Sequence, residues 1–127
     1  MNTIRKISTN NAPAAIGPYS QAIVAGGTIY ISGQLGIEPK SGKLTDGGIA
    51  GETKQALENI KAVLSAAESD LTKVVSTTVY LADMEDFVKM NEVYAQFFKE
   101  PYPARATAAV QQLPKQAKVE ISVTALK

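Results

Sequence analysis

The sequence predicts an α+β domain: a mixed β-sheet with two helices packed on one face. Three observations lead there. Runs rich in β-branched residues recur along the whole chain. Two stretches between them switch to helical spacing of apolar residues. The resulting order is β, β-hairpin, α, β, α, β, β, which suits a mixed sheet with its helices on one side. The 127 residues make a single domain, 1–127, and a chain of that length buries about two-thirds of its surface without staples.

The elements follow in order. "TIRKIS" (residues 3–8) alternates weakly and reads as a first strand. "NNAPAAIGPYS" (residues 10–20) is punctuated by two prolines and a glycine, the mark of an ordered loop. "QAIVAGGTIYISGQ" (residues 21–34) is a hairpin whose Gly26-Gly27 supplies the positive φ angles of a tight turn. "LGIEPKSGKLTDGG" is a turn-rich connection. From Ile49 to Glu68 the apolar positions Ala56, Leu57, Ile60, Val63, Leu64 and Ala67 form one face of an amphipathic helix. Val74 to Asp83 is a β-branched strand. Asp83 opens "DMED", an N-cap pattern for a second helix with Phe87, Met90, Tyr94, Phe97 and Phe98 on one stripe. Two prolines between Lys99 and Pro103 end that helix. "ARATAAVQQL" and "KVEISVTAL" are the last strands, either side of Pro114. In the last one Val119, Ile121, Val123 and Ala125 alternate with small polar residues. A chain this short has no third layer for the second sheet face, so that face is expected to meet other subunits.

Composition removes several chemistries. There is no cysteine and no histidine. A disulfide framework, a thiol nucleophile, a Ser-His-Asp triad and zinc held by Cys or His are therefore excluded. Acid–base work must fall to Asp, Glu, Lys, Tyr or water. Thirteen basic and twelve acidic residues give a net charge of +1 with no basic run. Nucleic-acid binding, which draws most of its affinity from phosphate neutralisation, is not expected. Neither a signal peptide nor a membrane span is expected, which makes the cytoplasm the default location.

The stretch "YPARATAAVQQLP" (Tyr102–Pro114) poses the functional question, because one arginine heads a run of small residues. Arg105 reads either as a structural guanidinium paired with Glu120 or a helix C-terminus, or as a carboxylate clamp, since its planar fork matches a carboxylate with two parallel hydrogen bonds. Glu120 in "KVEIS" reads as a solvent-facing side chain or, with no histidine available, as the base that positions water. Pairing of the last two strands around Pro114 would set Glu120 near Thr107, within a few residues of Arg105. Tyr19 reads as an aromatic plug over the core. Ser32-Gly33 reads as a turn, or as a hydroxyl beside a backbone that a ligand can approach closely. Asn91 reads as a helix-packing amide at the edge of the apolar stripe.

Four segments together resemble the RidA family, the YjgF-type reactive-intermediate deaminases: "APAAIGPYSQA" (Ala12–Ala22), "ISGQLG" (Ile31–Gly36), "NEVYAQFF" (Asn91–Phe98) and "YPARATAAVQQLPKQAKVEI" (Tyr102–Ile121). The resemblance runs nearly end to end. It implies a chorismate-mutase-like fold assembled as a homotrimer, with sheets facing inward and sites in clefts between subunits. It implies hydrolysis of 2-aminoacrylate-type enamines and their imine tautomers to 2-keto acids and ammonia, without a cofactor. By the same resemblance Arg105 is the clamp, and Tyr19 lies at the rim of the site. Arg105, Glu120 and Tyr19 are then the catalytic set, and Ser32, Gly33, Asn91 and Thr107 join Arg105 in binding substrate. Thr107 departs from the pattern: the family reads Arg-Ser-Cys-Val where this chain reads Arg105-Ala106-Thr107-Ala108, so a thiol gives way to a hydroxyl. The rival reading is a non-catalytic module that binds 2-keto acids or other small carboxylates and signals to a partner.

Overall fold

The computed structural model describes residues 3–127. Its strands are β1 (Ile4–Ile7), β2 (Ala22–Ala25), β3 (Thr28–Leu35), β4 (Val74–Leu81), β5 (Ala104–Ala109) and β6 (Val119–Leu126), and its helices are α1 (Gly48–Ala66) and α2 (Phe87–Tyr94). The strands form one sheet in the order β1-β2-β3-β6-β4-β5. Among the described strands only β4 and β5 run parallel. This is the mixed α+β sheet that the alternating periods predict.

Local chemistry explains the elements. Gly26 and Gly27 take φ values of 58° and 80° and turn β2 into β3, a conformation that side chains with a Cβ rarely adopt. On α1 the stripe Ala56, Leu57, Ile60, Val63 and Leu64 is buried, as its spacing requires. These residues meet Ile29 of β3, Val79 and Leu81 of β4, Met90 of α2 and Val119 and Ile121 of β6 in one core. Both helices therefore cover one face of the sheet. The other face carries Ser76, Thr78 and Tyr80 of β4, Ser122 and Thr124 of β6, and Ala104, Ala106 and Ala108 of β5, all partly or fully exposed. Most of its side chains are small or hydroxyl-bearing, with Tyr30 and Tyr80 as exposed large ones.

Three expectations need correction. The second helix stops at Tyr94; Phe97 lies in the turn that follows and Phe98 just beyond it. Asp83 caps a short 3₁₀ turn at Met84–Asp86, accepting from the Glu85 N–H, and α2 begins only afterwards. The larger correction concerns the last two strands. β5 and β6 do not pair, because β4 lies between them. Arg105 is level with Thr77, whereas Glu120 is level with Tyr80. Thr77 and Tyr80 are an odd number of residues apart, so they point to opposite faces of the sheet. Arg105 accordingly lies on the helix side and Glu120 on the open side of the same chain.

The close passage of β3's end over α1 gives a stability prediction. A Cβ at Gly36 would lie 2.5 Å from the Glu52 Cα and 2.7 Å from its carbonyl oxygen. Both are backbone atoms of a helix and cannot swing aside. Gly36→Ala should lower the unfolding free energy by about 2 kcal/mol or more, the order expected for overpacking, read as a fall in the urea midpoint at unchanged slope.

Candidate functional site

Arg105 enters β5 directly after Pro103-Ala104. Its guanidinium rests on one face of α2, where Phe87, Asn91 and Tyr94 recur at i, i+4 and i+7. The Nη1 group donates to Asn91 Oδ1 at 2.7 Å. The guanidinium carbon lies 4.7 Å from the Tyr94 ring centroid and 5.6 Å from that of Phe87, within cation–π range. No carboxylate reaches it: among the described residues the one ion pair joins Lys61 to Glu58 at 3.7 Å. The ion-pair reading of Arg105 with Glu120 therefore fails, since the sheet itself separates the two. Asn91 uses one of the five N–H donors of the fork. Beside it is an open cleft of about 450 Å³, walled by Tyr94, Ala95, Tyr102 and Pro103.

Thr107 lies two residues further along β5, on the same side as Arg105, level with Val79. Its hydroxyl oxygen is buried and has no hydrogen-bond partner among the described residues. A buried hydroxyl without a partner is uncommon, because desolvation is then uncompensated.

A second cluster forms on the open face. Between Ile31 and Gln34, β3 carries one residue more than β6 does between Val123 and Ile121, a bulge that turns Ser32 and Gly33 out of simple alternation. A Cβ on Gly33 would lie 2.7 Å from the Glu120 carboxyl carbon. Glycine is thus what lets the Glu120 side chain lie across β3. Ser32 Oγ donates to the Ser20 carbonyl at 2.6 Å, and its backbone N–H donates to the Gln21 carbonyl at 3.0 Å. Those bonds pin the early loop to the bulge. Gln21 fixes the loop from within, donating to the carbonyls of Thr9 at 3.0 Å and Pro13 at 2.7 Å while accepting from Thr9 N–H at 2.7 Å. Tyr19, next to Ser20, is 53% exposed, so it is not a plug over the core.

Burial raises the pKa of Glu120 above the ordinary carboxylate range. No cation of the described chain pairs with it to offset that desolvation. The candidates thus fall into two groups. Arg105, Asn91 and Thr107 gather on the helix side at the β5 edge. Glu120, Ser32, Gly33 and Tyr19 gather on or beside the open face. Phe87, Tyr94 and Tyr102 belong with the first group, although the sequence presents the first two as plain core stripe. The signal that marks them is the helical spacing that puts Phe87 and Tyr94 on either side of Asn91.

A family profile described as "Endoribonuclease L-PSP" matches residues 9–127. The chain is 55% identical to human 2-iminobutanoate/2-iminopropanoate deaminase over 122 residues, 96% of this chain and 89% of the relative. A RutC family protein of Pyrococcus horikoshii is 54% identical, covering 95% of this chain and 96% of the relative. The crystal structure of RidA from the Antarctic bacterium Psychrobacter superposes with a TM-score of 0.93 at 46% identity, covering 97% of this chain and 99% of that one. This chain belongs to the RidA family. Another family structure, E. coli TdcF with bound serine, superposes with a TM-score of 0.91 at 37% identity, covering 97% of this chain and 98% of that one.

The raised pKa of Glu120 yields a signed prediction for this RidA-family protein. The folded state holds the Glu120 proton more tightly than the unfolded chain does. Stability from this group is therefore full below the ordinary carboxylate pKa and declines as pH rises through the raised value. Glu120→Gln keeps the shape and removes the charge. It should unfold at higher urea than the parent protein at neutral pH, with the gap closing in acid. Equal midpoints for the two proteins at pH 7 would contradict this assignment.

Proposed function

We propose that this protein is a hydrolytic deaminase of reactive 2-enamine and 2-imine acids, such as 2-aminoacrylate and 2-iminobutanoate, releasing 2-keto acids and ammonia. The observation that carries the reading is a guanidinium fixed by an amide and two aromatic rings, yet given no carboxylate by the described residues of its own chain. A 2-imino acid brings that carboxylate. Curated relatives at 53–56% identity are named for this activity, and the related TdcF was crystallised with serine, itself a carboxylate-bearing amino acid.

Because the two residue groups lie on opposite faces, a complete site takes Arg105, Asn91 and Thr107 from one protomer and Glu120, Ser32, Gly33 and Tyr19 from the next. A ring of three copies with the open faces turned inward provides such pairings. The enamine first tautomerises to the imine. Arg105 grips the carboxylate, Thr107 offers its unpartnered hydroxyl, and the Gly33 backbone lets the ligand come close. Glu120, with Tyr19 at the rim, orients water and takes its proton as the oxygen bonds to the imine carbon. The nitrogen, protonated in turn, leaves as ammonia, and the C–O bond becomes the keto carbonyl. Water is the sole co-reactant. Free imines hydrolyse unaided, so orientation and a fixed charge suffice for the remaining barrier. No described helix is long and apolar enough to cross a membrane. We place the activity in the cytoplasm, and read the +1 net charge and the absence of histidine as speaking against RNA cleavage.

Arg105→Ala should lower kcat/KM for freshly generated iminopropionate by about a hundredfold or more, the value of two charge-assisted hydrogen bonds. An unchanged rate would remove the clamp, and tight keto-acid binding without ammonia release would make the protein a carboxylate sensor instead. The shared site has its own test. Arg105→Ala and Glu120→Gln chains, each nearly inactive alone, should regain activity when unfolded and refolded together. Random mixing leaves about a quarter of the sites with both groups intact, so about a quarter of the parent rate is expected. No recovery would place the whole site within one protomer.

A further inference from the structure

We infer that Tyr94 and Thr77 are positioning residues for Arg105: a buried hydroxyl pair that fixes the ring on which the guanidinium lies. The inference rests on the clamp reading of Arg105 and adds what aims the clamp.

Tyr94 is the last residue of α2 and only 6% exposed, and Thr77 on β4 is 3% exposed. Their hydroxyl oxygens are 2.8 Å apart. Thr77 is the residue level with Arg105 across the parallel β4–β5 ladder. Sheet register therefore puts the arginine backbone and the tether for its aromatic platform side by side. Phe98 holds the ring from another direction, with centroids 4.6 Å apart at 35°. Tyr94 is thus fixed by its hydroxyl and by its ring at once, and cannot turn without losing one contact.

The guanidinium sits over that ring at 4.7 Å and donates sideways to Asn91. A cation held over a ring plus one hydrogen bond to Asn91 sets the direction of the free N–H edge. A long arginine side chain would otherwise sample many rotamers, and a two-pronged contact needs one of them. Asn91 alone fixes a point but not a plane. Thr77 is not among the residues that wall the cleft, so its bond to Tyr94 acts through the ring that carries Arg105.

The discriminating variants are conservative. Tyr94→Phe keeps the ring and the Phe98 packing but removes the tether. Thr77→Val keeps volume but leaves the tyrosine hydroxyl unpaired. Thr77→Ser keeps the hydroxyl. Steady-state kinetics on iminopropionate should show KM rising about three- to tenfold in Tyr94→Phe and Thr77→Val with kcat changing far less, as expected where binding rather than chemistry is disturbed. Thr77→Ser should restore most of the loss. In an Arg105→Ala background the same two substitutions should have no further effect on kcat/KM, which a general loosening of the fold would not produce. Circular dichroism melts identify any variant that fails to fold. Should Thr77→Val do so, Tyr94→Phe and its double with Arg105→Ala decide the question. Parent-like KM in Tyr94→Phe, or additive losses in the double variants, would overturn the inference. Parent-like kinetics in Arg105→Ala itself would instead strike the clamp reading on which it stands.

Discussion

The structure turns on an unneutralised charge. A guanidinium packed against two aromatic rings loses part of its hydration, and most proteins answer such a cation with a carboxylate. Here the answer is an amide oxygen and π-faces. Each cation–π contact is worth about 0.5–2 kcal/mol, enough to hold the group without cancelling its charge. A neutral hydrogen-bond acceptor and a quadrupole stabilise the side chain while leaving its electrostatic field available. An internal glutamate in the same place would have stabilised the chain and closed the site.

The sheet keeps that charge available. β4 stands between the two strands that carry Arg105 and Glu120, and the two-residue period of a strand turns them to opposite faces. A register slip by one residue would flip Glu120 into the core, so the arrangement is held by the same alternation that buries Val119, Ile121 and Val123. The acid and the base of one chain are thus prevented from satisfying each other by the core itself. Each must look outward, and the small, hydroxyl-rich face between them offers a surface that a second sheet can approach closely.

How far this was legible in the sequence depends on the range of the interaction. Gly26-Gly27, the stripe from Ala56 to Leu64 and the alternation from Val119 to Ala125 are local patterns, and the fold follows them. What the sequence could not show is strand order. Nothing in "ARATAAVQQLPKQAKVEIS" reveals that the strand Val74–Leu81 inserts between its two halves, and the expected nearness of Glu120 to Thr107 failed on that point. Asp83 carried a helix-cap pattern, yet the cap went to a 3₁₀ turn because both motifs use the same side-chain-to-backbone bond. The individual candidates were visible as residue types: a lone arginine after Pro-Ala, a glutamate on the polar side of a strand, a serine–glycine pair. Tyr94 and Thr77 were not. A tyrosine in an apolar stripe and a threonine in a β-branched run look like filler, and only the register between β4 and β5 gives them a common neighbour.

Glu120 and Arg105 also complement each other in the proposed shared site. Alone, Glu120 holds its proton above the ordinary range because burial disfavours its charge. A neighbouring protomer's Arg105 would favour ionisation and offset part of that rise. A substrate carboxylate seated on Arg105 reverses the effect, since it neutralises the cation and adds a like charge nearby. In that proposed site the carboxylate assigned to accept a proton from water would become more basic when substrate arrives and less so when the site is empty. Basicity is then coupled to occupancy through Coulomb interactions alone, with no moving part, and it depends on Arg105 having no other anion to hold.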